Sequence, residues 1–234
     1  MKKIQLSLVF ACFFIVISCK KKEEKVEEAM PVAVEEPAPP VFKPFNIILI
    51  QHELANYDKW RTIYDSHDSI RKSYGITHYH IGRDDANPNF VYIFDIIDDV
   101  MKAKDFTKLP DLKVIMKKGG VKGMPKFNFL NVIRIDSSKI DQKERLKVTH
   151  KVKDFDAWLK VYDQEGTAKR LEEGLIDRAL ARDIDDPNIV TIVFAITDKE
   201  KAKKSITSEE KKTLMTEAGV EGKPEMVFYT LTDK

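Results

Sequence analysis

Hydrophobic and polar residues alternate along the chain in a pattern that predicts one order of elements twice. In the first half, apolar runs ending near His52 predict a strand, and apolar residues every three or four positions after Asn56 predict a helix that Asn56 caps. The predicted order is strand, helix, strand, strand, broken helix, strand, over residues 45–52, 57–74, 76–83, 90–97, 101–119 and 127–135. Gly75 and Gly120 are expected to end the two helical segments.

The second half follows the same plan from residue 146 to residue 231. Apolar residues at even positions over 146–152 alternate with Lys147, Thr149 and Lys151, which predicts a strand with one apolar face. Asp154 is expected to cap the next helix, and Gly166 to bend it. Asp98 and the pairs Thr197 with Glu200 and Thr207 with Glu210 predict the starts of the later helices.

Identical residues confirm that the two halves are copies of one sequence. They recur 98 positions further on as far as Asp65, and 99 positions further on from Arg71 onward, so one residue is inserted between these points. The repeated residues include His52 and His150, Trp60 and Trp158, Tyr64 and Tyr162, Arg71 and Arg170, Gly75 and Gly174, Arg83 and Arg182, and Met116 and Met215. We therefore expect two repeats, 45–136 and 144–234, fused in one chain rather than a solenoid.

Each repeat has the β-α-β-β-α-β order of ferredoxin-like folds, and the class is α+β. A four-stranded sheet with helices on one face leaves its other face apolar, and two such sheets can cover each other. On this element order and the duplication, residues 45–233 resemble the dimeric α+β barrel superfamily, which includes antibiotic-biosynthesis-monooxygenase-like domains. The resemblance implies about eight strands, helices outside and a small interior cavity. Because both halves lie in one chain, we expect a monomer.

The amino terminus resembles a bacterial lipoprotein signal peptide. Lys2 and Lys3 precede an apolar run over 6–17, too short to span a bilayer, and a lipobox-like stretch ends at Cys19. The resemblance implies removal of residues 1–18, acylation of Cys19 and anchoring to the outer membrane. An ordinary secretory signal is the alternative.

Residues 19–44, rich in Lys, Glu and Pro, are expected to form a disordered tether. Its charge run over 20–24 resembles the export signal of surface lipoproteins in Bacteroidetes; a solvated spacer is the alternative. Whether the tether faces the periplasm or the cell surface stays open.

Composition excludes several function classes. The chain has two cysteines, and if Cys12 leaves with the signal and Cys19 carries lipid, the mature domains have no thiol for catalysis, disulfides or thiolate metal sites. A net charge of +2 spread over many Lys and Glu residues does not favour nucleic-acid binding. Phosphate-loop, dinucleotide and zinc-protease motifs are absent from the sequence, and we expect no cofactor and no metal.

The repeated histidines His52 and His150 are the first candidate site residues, together with Trp60 and Trp158. A functional interpretation makes the imidazoles ligand-binding or proton-transfer groups. A structural interpretation, which we favour, packs each ring on its tryptophan and bonds it to a cap residue, Asn56 or Asp154.

His78 and His80 occur in the first copy only; the corresponding residues of the second copy are Asp177 and Ala179. Positions two apart on a strand share a side, so both imidazoles are expected to face one side together, as a metal or a polar ligand requires. The sequence spacing fixes no third ligand, so a metal site is the less favoured interpretation. Asp95, which corresponds to Phe194 of the second copy, could act as a base inside the barrel. An exposed position near the strand end is, however, the favoured expectation. All three are catalytic candidates.

Arg83 and Arg182 are expected to form ion pairs at a hairpin mouth, or to hold an anion. We expect a membrane-anchored protein whose barrel binds a small, partly apolar molecule. A cofactor-independent monooxygenase-like enzyme and a structural envelope protein without a ligand are the alternatives.

Overall fold

The structure is a computed structural model that describes residues 42–232. The predicted signal peptide, Cys19 and the tether up to residue 41 lie outside the described residues. Residues 42–44 are exposed and lie outside any helix or strand. Within the described range no helix is long and apolar enough to cross a membrane.

The chain forms eight strands and seven helices over these residues. The first half contains β1 Phe45–Leu54, α1 Tyr57–Ser66, α2 Asp68–Ser73, β2 Ile76–Asp84, β3 Phe90–Ile97, α3 Val100–Phe106, α4 Pro110–Gly119 and β4 Val121–Ile135. The second contains β5 Glu144–Val152, α5 Phe155–Glu172, β6 Leu175–Asp183, β7 Ile189–Ile196, α6 Lys199–Thr207, α7 Glu209–Glu217 and β8 Val220–Leu231.

The first helix of each half shows which sequence signals hold. The Asn56 side chain accepts a hydrogen bond from Lys59 N at 2.9 Å, so the predicted cap is confirmed. The predicted helix over 57–74 is two helices, because the chain leaves helical geometry at His67. In the second half the corresponding segment, Phe155–Glu172, is also interrupted, because Gly166 leaves helical geometry with φ +77° and ψ +158° and bends the helix there as predicted.

Three predicted helix starts are displaced by one residue. Asp99 rather than Asp98 caps α3, Asp198 rather than Thr197 caps α6, and Ser208 rather than Thr207 caps α7. Each of these neighbours has an extended backbone and an oxygen that accepts from the first helical turn. Asp and Ser are better caps than Thr, which explains both threonine errors.

The strands close into one antiparallel barrel in the order β1-β3-β2-β8-β5-β7-β6-β4. Each half contributes a four-stranded sheet, β4-β1-β3-β2 or β8-β5-β7-β6, with the strand order of a ferredoxin-like fold. The two sheets join where β2 pairs with β8 and where β6 pairs with β4. The predicted α+β barrel, with four strands from each half, is confirmed.

Apolar residues pack in three layers. Two layers lie between a sheet and its own helices, around Ile48 and Trp60 in the first half and around Leu146 and Trp158 in the second. The third fills the lumen, with Leu49, Phe94, Tyr229 and their neighbours. The barrel interior is therefore mostly occupied by side chains, which bury apolar surface on both faces of the sheet.

The polar face of β5 lies inside the barrel at Lys147 and Thr149, whereas Lys151 near the end of the strand is exposed. Lys147 is only 1% exposed, and its ammonium donates to Glu225 Oε1 at 2.7 Å and lies 5.9 Å from the centre of the Tyr92 ring. Thr149 and Thr191 share a hydrogen bond of 3.2 Å across neighbouring strands. Polar residues at every second position of β5 therefore indicated the strand face that lines the lumen. Burial of these polar groups is tolerated there because they form hydrogen bonds and an ion pair.

Candidate functional site

A cavity of about 280 Å³ lies between the outer face of the first sheet and helices α1, α2 and α4. We call it the first cavity. Its sheet side is formed by Ile50, His52 and Ile93. Its helix side is mainly apolar, with polar groups from Tyr64, His67, Arg71, Tyr74 and Asp111. The helical lining residues are Trp60, Ile63, Tyr64, His67, Ile70, Arg71, Tyr74, Phe106, Leu109, Asp111, Leu112, Ile115, Met116 and Gly119.

His52 brings an unpaired imidazole to this cavity. The residue is 3% exposed, and its ring packs edge-on against Trp60 with centroids 5.8 Å apart. Neither ring nitrogen has a hydrogen-bond partner. Burial lowers the pKa of His52 to about 4, so the ring is neutral at pH 7 and carries one free donor and one free acceptor.

The structural interpretation of His52 and His150 is half right. Packing on Trp60 and Trp158 is confirmed, with 5.5 Å between the centroids of the His150 and Trp158 rings. Bonding to the helix caps is wrong, because Asn56 and Asp154 accept from the backbone of their own helices instead. Buried polar groups normally have partners, so a lone imidazole beside a cavity is a feature that a ligand can complete.

Asp95 forms a three-residue hydrogen-bonded cluster at the edge of the first cavity. The Tyr64 hydroxyl donates to its carboxylate at 2.9 and 3.0 Å, and His78 Nδ1 lies 3.2 Å from Oδ1. A carboxylate only accepts, so His78 donates to it through Nδ1–H. Burial, and then the Asp95 charge, raises the pKa of the Tyr64 phenol far above its usual range.

The expectation that Asp95 is exposed is wrong, because the residue is 0% exposed. Its side chain points toward the helices and not into the barrel, on the side shared with Ile93. Two donors, the Tyr64 hydroxyl from α1 and the cross-strand partner His78, make burial of the carboxylate possible.

Arg71 completes the polar part of the cavity wall. Its guanidinium lies 3.7 Å from the centre of the Tyr64 ring, and Nη1 donates to the Tyr64 carbonyl at 2.6 Å. The side chain is buried, and Nε has no partner. Tyr64 and Arg71 were not singled out as site residues from the sequence, although both recur in the second half.

His78 and His80 do not face the same side, and the predicted pair of imidazoles is wrong. A bulge in the pairing of β2 with β3 places His78 opposite Asp95 and His80 opposite Phe94. The extra residue, Tyr79, breaks the alternation of sides. His80 therefore lines a cavity in the lumen, whereas His78 lies on the helix side.

The corresponding space in the second half is a cavity of about 70 Å³, which we call the second cavity. His150, Trp158, Tyr162, Arg170 and Met215 line it, at the positions of His52, Trp60, Tyr64, Arg71 and Met116. His150 also has two unpaired ring nitrogens, and burial lowers its pKa to about 4. The shared residues are therefore the frame of both cavities.

Charged residues close the second cavity. Lys211 occupies the position of Leu112 and forms ion pairs with Glu165 and, at 2.8 Å, with Glu173. Glu165 and Glu173 occupy the positions of His67 and Tyr74. All three charged side chains are at least 86% buried, so this bond network holds α7 against α5.

The carboxylate that accepts from the repeated tyrosine lies on different strands in the two halves, and Asp95 is fully buried whereas the Asp177 side chain is 27% exposed. In the second half it is Asp177, cross-strand partner of Phe194, and Arg170 donates to it twice at 2.7 Å. In the first half it is Asp95, cross-strand partner of His78. Asp177 thus has an arginine counter-ion, whereas Asp95 is bonded to Tyr64 and His78.

In the part of the chain that the structure describes, the two repeated arginines in the hairpins do not form the predicted ion pairs. Arg83 Nε donates to the Pro88 carbonyl and Arg182 Nε to the Pro187 carbonyl, each at 2.7 Å. Their guanidiniums lie over the rings of Tyr57 and Phe155. Within residues 42–232, no three His, Cys, Asp or Glu residues are grouped as a metal site.

Comparison with protein-family models gives no match for this sequence, and comparison with curated proteins gives none either. Solved structures do match. A provisionally assigned monooxygenase from Lactobacillus acidophilus NCFM is 18% identical, with 80% of this chain and 94% of that chain covered and a TM-score of 0.51.

A second provisionally assigned monooxygenase, from Fusobacterium nucleatum subsp. nucleatum, is 14% identical over 81% of this chain and 93% of that chain, with a TM-score of 0.52. An anthrone oxidase-like protein is 10% identical over 81% and 92%, with a TM-score of 0.51. At these identities the likeness shows the fold, an α+β barrel built from ferredoxin-like halves.

Proposed function

We propose that the protein binds a small, partly apolar molecule in the first cavity. The observation that carries the proposal is a cavity of 280 Å³ with apolar walls and a buried imidazole whose two nitrogens are both unpaired. Binding pockets are typically apolar with a few placed polar groups. Neutral His52 offers one donor and one acceptor, and Arg71 offers a further unpaired N–H.

The size of the first cavity limits the ligand. A cavity of about 150 Å³ accepts benzene, so 280 Å³ corresponds to a molecule of about two fused rings. Trp60 and Tyr64 stack at 5.1 Å between centroids and present aromatic surface to such a ring system. A two-ring phenol, with its hydroxyl bonded to His52, satisfies the shape and the polarity together.

The experiment is titration calorimetry of the full chain with 2-naphthol, with naphthalene for comparison. We expect 2-naphthol to bind at least tenfold more tightly than naphthalene, because only the phenol satisfies His52. Met116→Trp fills the first cavity and should abolish binding. The matched variant Met215→Trp, in the second cavity, should retain it; equal loss in both variants, or no binding to the wild-type chain, contradicts the proposal.

A second candidate is a cofactor-independent oxygenase, and the Tyr64–Asp95–His78 cluster favours it. Tyr64 lines the cavity, and its proton is directed at a buried carboxylate, so the cluster can receive a proton from a bound substrate. A reaction of this class transfers one oxygen atom of O₂ to carbon and releases the other as water with two hydrogens from the substrate. The provisionally assigned monooxygenases of the same fold are consistent with this candidate.

Oxygen uptake separates the two candidates. With 1,4-dihydroxynaphthalene, an oxygenase consumes O₂ faster than the uncatalysed background and forms the 2-hydroxy-1,4-naphthoquinone. His78→Gln should then lower the rate about 100-fold while leaving 2-naphthol affinity unchanged. If O₂ is consumed only at the background rate, the oxygenase candidate is rejected and the binding function remains.

We also propose that the chain is anchored to the outer membrane through acylated Cys19, as a monomer. The support is the lipobox-like sequence and a barrel that closes within one chain. Metabolic labelling with an alkyne fatty acid should mark the wild-type chain and not Cys19→Ala. Sedimentation of the detergent-solubilised chain should give one chain per particle; an obligate dimer would contradict the monomer.

A further inference from the structure

The lumen contains a cavity of its own, separate from the first and second cavities. It measures about 100 Å³ and lies at the end of the barrel where β1 and β5 begin and β4 and β8 end. We call it the lumen cavity. Its apolar lining residues include Phe45, Ile47, Phe94, Leu130, Val132 and Val193. Tyr229, 2% exposed, also lines it.

Arg145 places a buried cation at this cavity without an anionic partner. The residue is 8% exposed, and Nη1 donates to the carbonyls of Gln142 at 2.6 Å and Glu144 at 3.0 Å. No carboxylate of residues 42–232 forms an ion pair with it. Burial lowers the pKa of the Arg145 guanidinium, which shows that desolvation of its charge is not offset by an opposite charge nearby.

A second guanidinium lines the same cavity. Arg178 donates to the Ser138 carbonyl at 2.8 Å and lies 3.3 Å from an oxygen of Asp136. The charge of Arg178 lowers the pKa of Arg145 further, and both guanidiniums line the lumen cavity. Asp136, which is half-exposed, pairs with Arg178 and not with Arg145. The polar side of the lumen cavity is therefore positively charged.

The two arginines are a departure from the duplicated pattern. Arg145 stands at the position of Ile47 and Arg178 at the position of Tyr79, so the first half has no cation at either place. Both side chains point into the same end of one lumen. A packed interior does not require a charge at either position, since the first half fills them with apolar and aromatic side chains.

We propose that the lumen cavity is a second binding site, which takes a short-chain carboxylate. The carboxylate lies between Arg145 and Arg178, and the hydrocarbon chain packs on Phe94, Val193 and Tyr229. Guanidinium and carboxylate match in planar, two-point hydrogen bonding. Since about 150 Å³ accepts benzene, the lumen cavity accepts an acid of about four carbons.

Calorimetric titration of the full chain with sodium butyrate tests the site, with 1-butanol as the neutral molecule of the same size. We expect butyrate to bind at least tenfold more tightly than 1-butanol, because only the acid neutralises Arg145. Acetate and octanoate should both bind more weakly than butyrate, the first because it leaves apolar space and the second because it is too long. Equal affinity for butyrate and 1-butanol overturns the proposal.

Variants assign the binding to the lumen. Arg145→Gln and Arg178→Gln should each weaken butyrate binding at least tenfold, and Ala179→Leu, which fills the cavity from the wall, should abolish it. Met116→Trp, in the first cavity, should leave butyrate binding unchanged. If Arg145→Gln does not fold, Arg178→Gln and Ala179→Leu decide. Wild-type affinity in both of these, or loss in Met116→Trp, assigns butyrate elsewhere and refutes the lumen site.

Discussion

The two helix-covered layers of this barrel share a frame and differ in what they enclose. Each has a histidine packed edge-on against a tryptophan, a tyrosine stacked on that tryptophan and an arginine over the tyrosine ring. The second half repeats this arrangement with closely similar distances. Yet the first layer contains 280 Å³ of free space and the second only 70 Å³.

Three helix positions account for much of the difference. Leu112, His67 and Tyr74 in the first half are Lys211, Glu165 and Glu173 in the second, where they form a buried ion network. Phe194, in place of Asp95, adds bulk to the second cavity wall. The two copies therefore share the residues that pack each layer. They differ at the residues that determine whether the layer contains a cavity, so a binding site can arise in one copy only.

Removal of Lys211 should have the largest effect on stability. Lys211→Leu leaves Glu165 and Glu173 buried without their cation, and we expect a loss of about 4 kcal/mol in the free energy of unfolding. Urea denaturation measures it as a lower midpoint with an unchanged slope.

The matched variant in the first half, Leu112→Met, should cost less than 1.5 kcal/mol, because volume is nearly conserved. Adding Glu165→His and Glu173→Tyr to Lys211→Leu should recover most of the loss and open a second site for 2-naphthol. A loss below 1 kcal/mol for Lys211→Leu would show that the network does not hold the second layer closed.

Acid should destabilise both layers through their histidines. The pKa of His52 and of His150 is lowered to about 4 from 6.5, so between these values the unfolded chain binds more protons. The stability from each neutral, buried ring is complete above pH 6.5 and is lost as pH falls toward 4. The linkage amounts to about 3 kcal/mol for each histidine.

The measurement is the free energy of unfolding against pH for the wild-type chain, His52→Phe and His150→Phe. Each variant should lose about 3 kcal/mol less than the wild-type chain between pH 6.5 and pH 4. Parallel curves for wild type and variants would mean that the two rings are protonated in the folded chain, and would remove the neutral imidazole from the proposed site.

Most of the fold was predictable because it depends on local signals. Alternation located the strands, Asn56 and Asp154 capped the first helix of each half, and the inserted Gly166 bends α5 as predicted. The predicted helix starts were wrong by one residue where two adjacent residues could each cap the helix, as with Thr197 and Asp198. The closed barrel was predicted from the order of the elements and from the need of each sheet to cover its apolar face.

The candidate site was less predictable because it depends on pairing. One bulge sends His80 into the lumen and leaves His78 with Asp95, and no periodicity of the sequence shows where a bulge falls. Burial of Asp95 required Tyr64, which comes from a helix, and His78, which comes from the neighbouring strand. The two layers differ in the volume of their cavities. This difference becomes visible only when the structure shows that Leu112 and Lys211 occupy corresponding positions.

A smaller effect is expected where the two halves meet in the lumen. Gly82 leaves room for Tyr229, since a β-carbon at Gly82 would lie 2.1 Å from the Tyr229 ring. The residue at the same position in the second half is Ala181, opposite no such ring. Gly82→Ala should therefore cost about 2 kcal/mol by overpacking, as measured by urea denaturation.

The control for that variant removes the ring. In a Tyr229→Leu background, Gly82→Ala should be nearly neutral, because the clash is gone. If Gly82→Ala costs the same in both backgrounds, its effect arises from the backbone and not from the approach of Tyr229.

The smallest single loss, and the sharpest difference between the layers, should come from the two tyrosine hydroxyls. Tyr64→Phe removes the donor that bonds both oxygens of Asp95 and leaves a buried carboxylate with His78 alone, for which we expect a loss of about 2 kcal/mol. Tyr162→Phe removes one bond of 3.2 Å to Asp177, whose charge Arg170 already holds through two bonds, so the loss should be about 0.5 kcal/mol. Urea denaturation of the two variants gives both numbers under one set of conditions. Equal losses would mean that the hydroxyls serve packing alike in both halves, whereas a larger loss at Tyr64 identifies Asp95 as a carboxylate that depends on the Tyr64 hydroxyl, as a proton acceptor beside the first cavity would.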